Sequence, residues 1–159
     1  MTDPILLQSN NFQELFIRHH NFEAELMRLP APGPEREDFF WFVEDRGPDP
    51  ADGVPLVRFR AVQRFNGKNH FLRHQNFRLV LQPNDGSEQF KQDSLFRRFR
   101  GLGDDQNGWK SFEASNPNLK GHWIRHHSFH LFVNRRNATD PNFDDDATFR
   151  KAGPDQPID

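Results

Sequence analysis

Apolar and polar residues alternate in short runs along this 159-residue chain. Val57-Arg58-Phe59-Arg60-Ala61-Val62 alternates, as does Phe77-Arg78-Leu79-Val80-Leu81, which stops at the turn formers Pro83-Asn84-Asp85-Gly86. Phe129-His130-Leu131-Phe132-Val133 stops at Asn134. A period of two places alternate side chains on opposite faces, so these runs predict half-buried strands. Phe22-Glu23-Ala24-Glu25-Leu26-Met27-Arg28-Leu29 admits a helical reading, but it holds the same place relative to its flanking residues as the two later runs and is read as a strand with them.

Those flanking residues repeat. Phe16-Ile17-Arg18-His19-His20-Asn21-Phe22 recurs as Phe71-Leu72-Arg73-His74-Gln75-Asn76-Phe77 and as Trp123-Ile124-Arg125-His126-His127-Ser128-Phe129. The histidines are 55 and 52 residues apart. An aspartate follows each time, in Asp38-Phe39-Phe40-Trp41, Asp93-Ser94-Leu95-Phe96 and Asp146-Ala147-Thr148-Phe149, at 19, 19 and 20 residues from the histidine. Two marks at near-constant separation, three times over, predict three copies of one structural unit. The units are placed at about 5–46, 54–100 and 109–152, within a single domain spanning 1–159. Gly47 to Gly53 and Gly101 to Gly108 separate them, Pro30-Ala31-Pro32-Gly33-Pro34 reads as a stiff loop, and 153–159 reads as a frayed tail. About four short strands per unit, with closure to remove exposed edges, predict an all-β fold, a β-trefoil of three pseudo-symmetric repeats.

Composition shows what builds the core. Phe numbers 18, Trp 3 and Tyr 0, and mean hydropathy is −0.92. Phe buries a large apolar area without a polar group to satisfy, so a core is available to an otherwise polar chain. Lys+Arg 21 against Asp+Glu 23 gives a net charge of −2, which argues against a general nucleic-acid binder. Cys 0 excludes disulfides and thiolate metal sites. No apolar run is long enough for a membrane span, and Met1 to Asn11 lacks the basic and apolar regions of a signal peptide.

The repeated motifs, together with Lys110-Ser111-Phe112-Glu113 and Asn84-Asp85-Gly86-Ser87, resemble the arabinofuranose-binding modules of fungal α-L-arabinofuranosidase B, the family 42 carbohydrate-binding modules. The likeness runs over about residues 5 to 152. It implies one sugar pocket per unit, with the repeated histidine and aspartate on the arabinofuranose: His19 with Asp38, His74 with Asp93, and His126 with Asp146. Asn21, Gln75, Asn76, His127 and Ser128, next to those histidines, join the candidate set. The implied ligand is an arabinose-containing polysaccharide or glycan, with no cofactor, and the implied setting is extracellular. The chain departs from the family where tyrosines are usual, with Phe16, Phe71 and Trp123, then His20, Gln75 and His127. Ser128 stands for the usual asparagine. Phe39-Phe40 replaces a small pair, which predicts bulky rings filling the first pocket and leaves the second and third as the better candidates.

Planar carboxylates accept sugar hydroxyls, imidazoles donate or accept one, and aromatic rings cover C–H faces. Each residue type also has a structural use. The aspartates can tie turns, the histidines can bridge strands, and Asn21 and Asn76 can line pockets or cap turns. Arg18, Arg73 and Arg125 are read as bracing the trefoil or pairing with carboxylates, and Phe22, Phe77 and Phe129 as core. His122, His126, His127 and His130 lie on predicted strands, where an i, i+4 spacing separates rings by roughly 13 Å, so no metal site is expected. Three like environments suit repeated binding better than one asymmetric catalytic carboxylate pair, so no catalysis is expected. The alternative is a protein-interaction trefoil with degenerate sugar sites and a protein partner.

Overall fold

The computed structural model describes residues 3–153. Twelve strands are present among them: β1 (Leu6–Ser9), β2 (Leu15–His20), β3 (Glu23–Arg28), β4 (Trp41–Pro48), β5 (Pro55–Phe65), β6 (Lys68–Gln75), β7 (Arg78–Pro83), β8 (Phe96–Arg100), β9 (Lys110–Ala114), β10 (His122–His127), β11 (His130–Arg135) and β12 (Phe149–Ala152). The runs read as strands lie in β3, β5, β7 and β11. Apart from Gly153, the tail expected over 153–159 lies outside the described residues.

All pairings are antiparallel, and they close into a barrel. A circuit runs from β1 to β12, β9, β8, β5 and β4. It returns to β1 through the Ile5–Trp41 bridge, with paired bonds of 2.9 and 3.0 Å. Closure leaves no long unpaired edge on this circuit. Hairpins β2–β3, β6–β7 and β10–β11 join each other through β3–β7, β7–β11 and β11–β3.

Each hairpin turns on two residues: Asn21-Phe22, Asn76-Phe77 and Ser128-Phe129. Their φ values are 52° and 62°, 52° and 65°, and 51° and 65°. Two successive positive φ values match the type I′ turn that suits strand twist. The tips are tied by a ring of backbone bonds. Leu81 N–H donates to Phe22 O, Val133 N–H to Phe77 O and Leu26 N–H to Phe129 O, at 2.8, 2.8 and 2.7 Å.

The period of two delivers equivalent residues inward: Ala24 and Leu26, Leu79 and Leu81, Leu131 and Val133. They meet Val57, Phe59, Ala61, Phe96, Phe112 and Phe149 in one central core. Trp41 is fully buried there, its indole N–H donating to Ile17 O at 3.0 Å. Outside the barrel, Phe16 packs with Phe39, Phe71 with Phe90, and Trp123 with Phe143.

Two expectations are corrected. Phe22, Phe77 and Phe129 are not core: they are 48%, 50% and 48% exposed. As second residues of tight turns they point away from the strand face that reaches the barrel. Phe39 does not fill a pocket either, because it lies with Leu6 and Phe16 in a satellite cluster, and Phe40 packs against that cluster. The Pro30–Pro34 loop also ends in structure, since Pro34 opens a 3-10 helix, Pro34–Phe39.

Candidate functional site

Alternation along β2, β6 and β10 turns His19, His74 and His126 inward, where they are buried, and leaves the following residue exposed. The aspartates come from short helical segments that the strand pattern does not announce. Asp38 lies in Pro34–Phe39, Asp93 in α1 (Glu88–Ser94) and Asp146 at the end of α2 (Phe143–Asp146). Ser87 caps α1 by accepting from Phe90 N–H at 3.0 Å.

The same grip recurs three times. His19 Nε2 lies 4.0 Å from Asp38 Oδ1, His74 Nε2 3.6 Å from Asp93 Oδ1, and His126 Nε2 3.4 Å from Asp146 Oδ1. The second carboxylate oxygen faces the preceding arginine. Arg18 is 3.6 Å from Asp38, Arg125 is 3.2 Å from Asp146, and Arg73 bonds Asp93 directly. Each guanidinium lies over a phenylalanine: Arg18 over Phe39 at 5.6 Å, Arg73 over Phe90 at 5.4 Å and Arg125 over Phe143 at 4.9 Å. The arginines therefore pair with carboxylates, one of the two uses expected of them.

Burial lowers the pKa of His19, His74 and His126 from its ordinary value, outweighing the opposing pull of Asp38, Asp93 and Asp146. The neutral rings can donate or accept. His19 Nε2 and His74 Nε2 are buried without a hydrogen-bond partner, as is Gln63 Oε1. Such atoms call for an account, because buried polar groups are usually paired.

The three surroundings differ. At the first, Phe65 packs edge-on to His19 at 5.7 Å, and His70 packs on Phe65 at 5.1 Å. At the second, Gln89 reaches both Asp93 oxygens at 3.0 Å and Asn116 reaches Oδ1 at 3.4 Å. At the third, Asn11 bridges the pair, its Oδ1 2.8 Å from His126 Nε2 and its Nδ2 2.7 Å from Asp146 Oδ1. A cavity of about 310 Å³ opens there, lined by Asn11, Phe12, His126, His127, Ser128, Phe129, Asn142 and Asp146. Side-chain exposure runs 24% for Asp38, 13% for Asp146 and 4% for Asp93. Asp93, in one of the two units favoured by sequence, is thus the most enclosed.

Among the other candidates, Asn21, Asn76 and Ser128 form the hairpin turns. Gln75 is exposed and accepts from Gln82 at 3.1 Å, while His127 lines the third cavity. Sequence reasoning missed Asn11, Phe12, Gln63, Phe65 and Asn116. In the division expected from the sequence, all five fall in the unit that follows, in cyclic order, the one whose histidine they approach. No group of three His, Cys, Asp or Glu converges to hold a metal among the described residues.

Residues 56–151 match the alpha-L-arabinofuranosidase B (ABFB) domain family. Comparison with curated proteins finds no match. Among solved structures, a mutant GH54 α-L-arabinofuranosidase soaked with 4-nitrophenyl α-L-arabinofuranoside aligns with a TM-score of 0.76 at 19% identity. An arabinofuranosidase complexed with arabinofuranosyl-α-1,2-xylobiose aligns with a TM-score of 0.75, also at 19% identity. Both alignments cover 95% of this chain and 31% of the other, so this chain spans about a third of the length of those proteins. A structure described as BEL beta-trefoil aligns with a TM-score of 0.58 at 12% identity, covering 93% of this chain and 90% of the other. The family match covers more than half of the sequence, and the chain belongs to the alpha-L-arabinofuranosidase B (ABFB) domain family.

Proposed function

We propose that this chain is a non-catalytic carbohydrate-binding domain that takes arabinofuranosyl side chains of polysaccharides in up to three related pockets. The observation that carries this reading is the thrice-repeated pairing of a buried neutral imidazole with an arginine-braced carboxylate. A fixed acceptor beside an adaptable donor matches vicinal sugar hydroxyls. Pocket residues are His19, Asn21 and Asp38; His74, Gln75, Asn76 and Asp93; and His126, His127, Ser128 and Asp146. The third pocket leads, because a cavity opens at it.

The fold is proposed as a β-trefoil with repeats at about 5–46, 54–100 and 109–152. Support comes from the ring of tip-to-strand bonds and from the likeness to the BEL structure. The same arginine and histidine grip holds the carboxylate at all three places, which favours repeated binding over catalysis, where two carboxylates must be in unlike states.

Calorimetric titration with an arabinose-branched xylo-oligosaccharide tests the function. Affinity of about millimolar to tens of micromolar is expected, falling in Asp146→Ala and His126→Ala. Unchanged binding in both variants sinks the third-site assignment. One observation favours a second reading, a protein-interaction domain with degenerate sugar sites: Arg73, Gln89 and Asn116 already occupy Asp93. Silence across a furanoside and pyranoside array supports that reading instead.

A further inference from the structure

The chain contains an internal standard for what a two-residue hairpin turn prefers. Asn66-Gly67 joins β5 to β6 with φ values of 53° and 72°. Glycine occupies the second position, where positive φ is free of a Cβ penalty. At the other three tips the equivalent position holds phenylalanine, at φ 62°, 65° and 65°. A bulky residue in the left-handed region is strained, and such strain persists where something else requires the side chain.

The fold does not require it. The link from each tip to the next unit is made by the phenylalanine carbonyl, which any residue supplies. Nor do the rings serve the core, since about half of each is exposed. What the three share is their place at a hairpin tip, three residues after the histidine that pairs with an aspartate. Phe129 lines the cavity that contains His126 and Asp146. Phe22 packs on Phe65, the ring that also meets His19. Phe77 stacks on His122 at 5.9 Å and 19°. Phe129 meets Phe12 at 5.5 Å, and Phe12 meets His126 at 5.6 Å.

We infer that Phe22, Phe77 and Phe129 are ligand-contacting platforms, each presenting its free ring face to the C–H face of a sugar whose hydroxyls the adjacent histidine and aspartate take. This rests on the carbohydrate-binding reading above and adds residues that reading does not contain. Phenylalanine has no hydroxyl, so its contribution is apolar contact and ring-face attraction for polarised C–H groups. The platform selects for a sugar face carrying hydrogens rather than hydroxyls. Because the partner rings Phe12, Phe65 and His122 belong to the following unit, each platform is assembled across a unit boundary.

The test compares wild type, Phe129→Gly and Phe129→Leu, with the same pair at Phe22 and Phe77, by calorimetry with the arabinose-branched oligosaccharide and by thermal melting. Glycine relieves the turn, so its melting midpoint stays level or rises while affinity falls about fivefold to tenfold at the affected site. Leucine keeps the bulk and the backbone strain but has no ring, and it loses affinity to a similar extent. Wild-type affinity in all the leucine and glycine variants overturns the platform while leaving the carbohydrate reading intact. Absence of binding by the wild type overturns both.

Discussion

His126 Nε2 and Asp146 Oδ1 lie 3.4 Å apart, and Asn11, from the opposite end of the chain, bridges them. The third site is thus completed by the β1–β2 loop. Asn11→Ala should weaken sugar binding at this site while leaving the first two unaltered. Chemical-shift mapping during titration checks this: selective loss at Ser128 and Phe129 is the expected pattern, and equal loss at all three hairpin tips would refute it.

The histidine triplet makes stability pH-dependent. Burial holds the folded-state pKa of His19, His74 and His126 below the ordinary 6.5. Above that value both folded and unfolded forms are neutral, and full stability is present. As pH falls below it the unfolded chain takes up protons first, so stability drains until the folded-state pKa is passed. The melting midpoint should therefore drop on acidification below pH 6.5, and a His74→Asn variant should show a shallower drop. A midpoint flat from pH 7 to 5 contradicts this.

Asp93 and Asp38 should differ in what they contribute to the fold. Asp93, only 4% exposed, compensates the charge of Arg73. Asp93→Ala leaves the Arg73 guanidinium, on a side chain only 12% exposed, without its carboxylate, at a cost of about 3–5 kcal/mol. Asp38 is 24% exposed and sits 3.6 Å from Arg18, so Asp38→Ala should cost about 1 kcal/mol or less. Urea unfolding of the two variants decides; equal losses would show that enclosure is not the controlling factor.

Ser128 occupies a left-handed position, φ 51°, where the other two tips hold asparagine. Asparagine tolerates this region better than serine. Ser128→Asn should stabilise by about 0.5 kcal/mol, seen as a higher denaturant midpoint at unchanged slope. Asn76→Ser should lose a similar amount.

Trp41 closes the barrel circuit beside Ile5 and bonds Ile17 O from within the core. Trp41→Phe retains an aromatic ring but leaves that carbonyl without its donor, at a cost of about 1–3 kcal/mol. Calorimetric melting measures it, and a loss near zero would mean the carbonyl finds another donor.

Much of this was legible in the sequence. The alternation in β5, β7 and β11 and the recurring Arg-His marks locate strands and hairpins, because period two is written directly in residue order. The approach of each histidine to its aspartate followed from constant spacing. The short helices under Asp38, Asp93 and Asp146 did not, since four to seven residues carry too little periodicity to oppose the surrounding strand pattern. The Ser87 cap and Pro34 were the available signals. Phe22, Phe77 and Phe129 were misread because apolarity alone suggests burial, whereas the backbone turn decides where each ring points. The preceding Asn21 and Asn76, each between two alternating runs, were the clue at the first two tips. Asn11, Phe65 and Asn116 lay beyond reach, because which loop approaches which histidine depends on how distant parts of the chain close on one another.

That closure has a mechanical meaning. Leu26 hangs on Phe129, Leu81 on Phe22 and Val133 on Phe77, so each of these three hairpins is both support and dependant. Unlike a stacked array, which can lose an end piece and survive, a loop of mutual supports has no terminal member to shed. Loosening one hairpin removes an anchor from the next, and thermal melting is therefore expected as a single sharp event with no partly assembled stage.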